Sequence, residues 1–271
     1  MESPSPDFDS NYPRPSPFGL VAVRPPGVYW DSIGVAFEMM KKGYTVYGAC
    51  TLLMFLVVDG SWFLALRLLS QALPWQMGHR PPAPPLPNWS LIVFIGLRIV
   101  FNLFLIGLVS LGAAQLRDGK IDLDSFFAPL SRLAAALLAA TVLLLPELPQ
   151  TLMPYLPSAH GAQESFARLG TETLLTLGGD WVLYGPFLLA ATAAVLTNRG
   201  VFGAFIETFR RLRWKALMLC VVAAVANLVA QLGLIACLVG ELFTFSIVTN
   251  VAAVHYLAYF PLTETYRSDS P

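Results

Sequence analysis

RGVFGAFIETFRRLRWKALM, residues 199–218, sets five cations (Arg199, Arg210, Arg211, Arg213 and Lys215) ahead of one of the most apolar stretches of the chain. Within it Phe202, Phe205, Ile206, Phe209 and Leu212 recur at helical spacing, with Arg210, Arg211 and Arg213 largely opposite. That pattern predicts an amphipathic helix lying in a membrane interface and leading into a span. The spacing Gly203, Glu207, Arg210, Arg211 stands earlier as Gly34, Glu38, Lys41, Lys42, in SIGVAFEMMKK. There Ile33, Phe37 and Met40 share a face and the lysines end the helix. LDSFFAPLSRL (123–133) is a weaker third case.

The composition fits. Of 271 residues 56% are hydrophobic and only 13% charged, with mean hydropathy +0.62, beyond the usual soluble balance. The 17 basic and 17 acidic side chains cancel, so whole-chain charge argues neither for a nucleic-acid partner nor for an acidic substrate; no nucleic-acid partner is expected, and the information lies in where charges sit. A helix crossing the hydrocarbon core needs about 20 mostly apolar residues. Six segments approach this: 45–72, 89–115, 132–154, 172–197, 215–239 and 241–262. The third is cut by Pro146, Glu147, Pro149 and Pro154, which predicts a short or kinked span.

Basic residues accumulate on the cytoplasmic side of short loops. With the amino terminus inside, Lys41, Lys42, Arg117, Lys120, Arg132, the cluster at 199–215 and Arg267 all fall in the cytoplasm, against Arg80 and Arg168 outside. The expectation is an all-α bundle of six spans in three hairpins, each with a cytoplasmic interfacial helix before it. Residues 1–29 are a Pro-rich cytoplasmic tail without signal-peptide features, 30–262 the membrane domain, and 263–271 a second cytoplasmic tail. The outer loop PWQMGHRPPAPPLPNW (74–89) reads as a stiff connector bracketed by interfacial Trp75 and Trp89.

Three stretches, AAQLRDGKIDLDSFFAPLSRL, VLTNRGVFGAFIETFRRLRWKALM and LGLIACLVGELFT, resemble a broad group of uncharacterised bacterial six-span membrane proteins. That group is allied to the membrane domain found ahead of some glycerophosphodiester phosphodiesterases. The resemblance spans about residues 30–262 and implies the six-span, three-hairpin topology but no activity. Such proteins often carry Trp where this chain has Phe37 and Phe205, and Pro near its Phe245.

Charges inside spans are costly and turn toward the bundle or a wet cavity. Asp59 and Arg67 in the first span, Arg98 in the second, Glu147 in the third and Asp180 in the fourth form the candidate buried set. Three readings stand: an ion-pair network fixing helix register, a substrate or proton pathway, or snorkelling side chains. Lys41, Lys42, Arg210, Arg211, Arg213 and Lys215 are the candidate lipid-interface cations. Gly233, Ala236 and Gly240 mark a smooth face for helix packing. Asn102 and Asn227 read as interhelical hydrogen-bonding residues. His255, in NVAAVHYLAYF, is a weak metal candidate that reads more simply as a hydrogen-bonded structural residue. Cys50, Cys220 and Cys237 lie in apolar runs without CxxC spacing and read as packing residues.

The chain holds no GxSxG, GxxxxGK[ST], HExxH or GxGxxG. The expected function is therefore a non-catalytic scaffold, accessory or assembly subunit of a bacterial cytoplasmic membrane. It would work without a cofactor, in contact with lipids and with a membrane-protein partner or further copies of itself. The alternatives are a small-molecule or lipid transporter using Asp59, Arg98 and Asp180, and, third, a membrane-embedded lipid-modifying enzyme.

Overall fold

The computed structural model describes residues 27–72, 88–146, 148, 184–197, 199–236 and 238–260. Among these every regular element is helical: α1 (Ser32–Lys42), α2 (Tyr44–Ala72), α3 (Asn88–Asp118), α4 (Leu123–Phe127), α5 (Leu133–Val142), α6 (Tyr184–Leu196), α7 (Val201–Leu212), α8 (Lys215–Ala236) and α9 (Leu238–Tyr259). A 3-10 turn, Ala128–Arg132, joins α4 to α5. Most of the tail before residue 30, the loop at 74–89 apart from the start of α3, and the tail from 263 lie outside the described residues.

Local chemistry sets the boundaries. Asp122 caps α4, its carboxylate accepting from the Asp124 N–H at 3.1 Å. Gly43 separates α1 from α2, and a Cβ there would collide with Ile121 and Tyr47. After Val142 the chain turns through Leu143–Pro146, consistent with proline's exclusion from helix interiors. Three stretches are long and apolar enough to cross a membrane: Tyr44–Ala65, Leu91–Asp118 and Leu123–Val142. Val201–Leu212 with Lys215–Ala230, bent by 98°, makes a fourth if counted as one span. Gly185–Leu196 and Phe245–Tyr259 are shorter apolar helices. The third stretch begins at Leu123, ahead of the expected start at 132.

Helix packing repeats with a period of three. α3, α6 and α9 touch one another; α2 packs on α3 and α9, α5 on α6 and α3, α8 on α9 and α6. The short helices follow suit, α4 resting on α3, α7 on α6, and α1 on α9. The three inner helices are accordingly buried on every side over Leu105–Leu116, Leu188–Val195 and, apart from half-buried Leu257, Ser246–Phe260. Lipid tails are as apolar as leucine, so burial alone does not hold such helices together; close van der Waals packing of small residues does. Ala136, Ala139 and Ala140 of α5 and Ala190, Ala191 and Ala193 of α6 are fully buried. Gly112 of α3 lets α9 approach so closely that a Cβ would stand 2.6 Å from Asn250 Oδ1 and 2.9 Å from Ala253 Cβ.

The outer faces of α2, α5 and α8 carry large apolar side chains. Leu56, Phe63 and Leu64 on α2, Leu137 and Leu138 on α5, and Leu217 and Val221 on α8 are exposed. In water that surface would aggregate; against a bilayer it is the ordinary outer face.

The amphipathic leads differ in detail from expectation. α1 buries Ser32, Val35, Ala36, Met39 and Met40 and exposes Phe37; α7 buries Val201, Ala204, Phe205, Thr208 and Leu212 and exposes Phe202 and Ile206. Each apolar arc is thus split, one half seated in the bundle and the other facing outward. Hydrophobicity cannot separate the halves, because packing and lipid select alike. The two helices share this register 169 positions apart: Ser32 and Val201, Val35 and Ala204, Ala36 and Phe205, and Met39 and Thr208 are buried.

Candidate functional site

The cation cluster gathers at the end of the bundle where α6 and α9 finish and α7 and α8 meet. The last carbonyls of a helix lack intrahelical donors and carry its negative dipole end. Arg132 Nη1 donates to Thr197 O at 2.7 Å and Val195 O at 3.4 Å, closing the end of α6. Arg211 Nη1 donates to Tyr259 O at 2.5 Å, closing α9, while its guanidinium lies 4.8 Å from the Phe260 ring centroid. Arg211 Nε also donates to Glu207 Oε1 at 2.7 Å, with Arg199 at 3.5 Å and Arg210 at 3.9 Å from the same carboxylate. The hydrogen bond from Arg211, with the charges of Arg211, Arg210 and Arg199, holds the Glu207 carboxyl below its usual range against the opposing effect of burial.

Arg210, Arg213 and Lys215 face outward around Trp214, which is 88% exposed. Arg213 links α7 to α8 at φ 46°, ψ −128°, the one non-glycine residue with positive φ among those described. Lys41 and Lys42 are exposed at the end of α1. α7 is fixed beneath this cluster by aromatic contacts, Phe205 and Phe209 meeting Phe187 of α6 at 6.0 and 5.5 Å.

A second constellation runs along α9 inside the bundle. Tyr47 of α2 donates to Gln115 Oε1 of α3 at 2.7 Å, and Gln115 Nε2 donates to Met39 O at 3.3 Å, so one side chain ties α1, α2 and α3 together. Thr51 and Ser246 join α2 to α9 at 3.3 Å. Asn102 Nδ2 donates to Ala140 O at 3.1 Å, joining α3 to α5. Asn250 is fully buried beside Tyr47, yet neither its Oδ1 nor its Nδ2 has a partner at hydrogen-bond geometry. His255 Nε2 accepts the Tyr29 N–H at 3.2 Å, which places its proton on Nδ1, donating to Val251 O at 2.8 Å. Both ring nitrogens are engaged, and the histidine pins the entry to α1 onto α9. Asn227 and His255 also border a cavity of about 10 Å³ between α6, α8 and α9, roughly one water in size and otherwise lined by residues such as Leu188, Leu219 and Val248.

Of the intramembrane charges, Asp59 and Arg67 are exposed on α2, and Arg98, half-buried on α3, lies over the Phe101 ring at 5.2 Å. Asp59 lies within electrostatic reach of Arg98. Glu147 and Asp180 fall outside the described residues. Gly233 and Ala236 sit in α8 and Gly240 in α9, but the packing of these positions is outside the described residues too. The helix-capping roles of Arg132 and Arg211 and the Tyr47–Gln115–Met39 link escaped the sequence, though buried polar residues concentrated on α3, α6 and α9 were a usable signal for the inner helices. Comparison with protein-family models, curated proteins and solved structures finds no match.

Proposed function

We propose that the chain is a six-span integral protein of a bacterial cytoplasmic membrane, both termini cytoplasmic, serving as a non-catalytic scaffold or accessory subunit. In this arrangement α2 and α3, α5 and α6, and α8 and α9 are the cores of three hairpins, preceded by α1, α4 and α7. The period-three packing and the register shared by α1 and α7 support it.

The observation that carries the functional reading is the centre of the molecule. Where a transporter needs a path, α3 and α9 meet closely at Gly112 and Ala253, α6 packs against both through buried alanines, and Gln115 and Ser246 bond outward to α2. The apolar outer faces of α2, α5 and α8 are then the working surfaces, available to lipid or to the helices of a partner.

The test is extraction at native expression into polymer discs, followed by mass spectrometry. A membrane protein present in fixed stoichiometry, and lost when Leu56 and Phe63 of α2 are replaced by Ala without loss of Tm, supports the scaffold. A chain that carries lipid alone and moves a solute across reconstituted vesicles, losing that activity in Asp59→Asn, overturns it.

A further inference from the structure

The geometry points to a binding site for an anionic phospholipid at the elbow between α7 and α8, an inference that rests on the membrane reading above. Three observations converge there. First, the outward half of α7 and the start of α8 each expose large apolar side chains: Phe202 is 68%, Ile206 70%, Trp214 88% and Leu217 67% exposed. The two helices meet at 98°, so α7 lies across the direction that α8 takes into the bilayer. That is the geometry of a headgroup ledge over an acyl-chain wall.

Second, the ledge carries an excess of positive charge in its sequence. Residues 199–215 hold five cations and one carboxylate, Glu207, whose shortest ion pair is with Arg211. Arg211 is also turned inward to Tyr259 O. Arg213, exposed and without an ion pair among the described residues, stands beside exposed Lys215 and Arg210, one helical turn from the apolar stripe. A phosphodiester is the complement of such a set.

Third, the backbone is strained at Arg213. Arg213 occupies φ 46°, a region glycine enters without penalty and other residues rarely do. A turn that needed only its geometry would be better served by glycine; arginine there marks the guanidinium as the working part.

The experiment reconstitutes the full chain in phosphatidylcholine vesicles containing a small fraction of acyl-brominated phosphatidylglycerol, or the same fraction of acyl-brominated phosphatidylcholine. Quenching of Trp214 is read as the difference between the parent and Trp214→Phe. The expected result is stronger quenching by the anionic lipid, weakened by salt and falling about fivefold in apparent affinity in Arg210→Gln and in Arg213→Gln, the equivalent of roughly 1 kcal/mol per cation. Arg213→Gly separates binding from folding, because it should lose the lipid preference while keeping or raising Tm. Equal quenching by the two lipids in folded protein, or full preference in Arg213→Gly, overturns the site and leaves the membrane reading standing. Quenching by neither lipid overturns both.

Discussion

Arg211 acts on two helices at once, closing the carbonyl end of α9 and pairing with Glu207 of its own helix. Arg210, next in sequence, reaches Glu207 only at 3.9 Å and is exposed. The two should therefore separate in thermal unfolding in detergent. Arg211→Gln strands the Tyr259 carbonyl and should cost about 2 kcal/mol, whereas Arg210→Gln should fall within about 0.5 kcal/mol of the parent. Equal effects would mean that the cluster acts as a diffuse charge. The same pair predicts a pH dependence. Glu207 titrates below its ordinary 4.5 in the folded chain, so the unfolded chain binds the proton first as pH falls. The contribution is complete at neutral pH and is lost as pH drops below about 4.5 through the folded-state value. Glu207→Gln should flatten that acid limb of the stability profile, and an unchanged limb would assign it to other carboxylates. At Arg213, replacement by Gly should raise stability by up to about 1 kcal/mol through relief of the positive φ.

Between elements, the closest approach is that of α3 to α9 at Gly112. Gly112→Ala should destabilise by about 1–3 kcal/mol, because Asn250 and Ala253 stand within contact distance of the added methyl. Adding Asn250→Ala should recover much of the loss, since it opens the space and removes an amide whose atoms lack partners. Strict additivity in that double-mutant cycle would show that the helices do not meet there. Helix positions were largely legible beforehand: α2 at Tyr44–Ala72, α3 at Asn88–Asp118 and α8 at Lys215–Ala236 fall close to the apolar runs at 45–72, 89–115 and 215–239. Their packing was not legible, because in a lipid-solvated chain Leu56 facing outward and Leu108 facing inward carry the same hydropathy. The candidate site was half legible. Cation spacing located the α7 elbow, but only coordinates distinguish Arg211, committed to a helix end, from Arg213, which faces outward.

For the whole molecule, the decisive expectation concerns sidedness. With Cys50, Cys220 and Cys237 replaced, single cysteines at Lys42, Lys120 and Arg213 should react with a membrane-impermeant maleimide only from the cytoplasmic side, and one at Gly78 only from the other. Labelling of Lys42 and Arg213 from opposite faces would end the three-hairpin arrangement. The contact of α1 with α9 adds a consequence in time. A ribosome makes α1 well before α9, so during synthesis Val35, Ala36 and the Tyr29 amide wait for that seat while some two hundred residues emerge. Assembly of these helices is therefore incomplete until α9 is made, and a product halted before it carries an unmated face on α1, in plain reach of whatever machinery inspects newly inserted proteins.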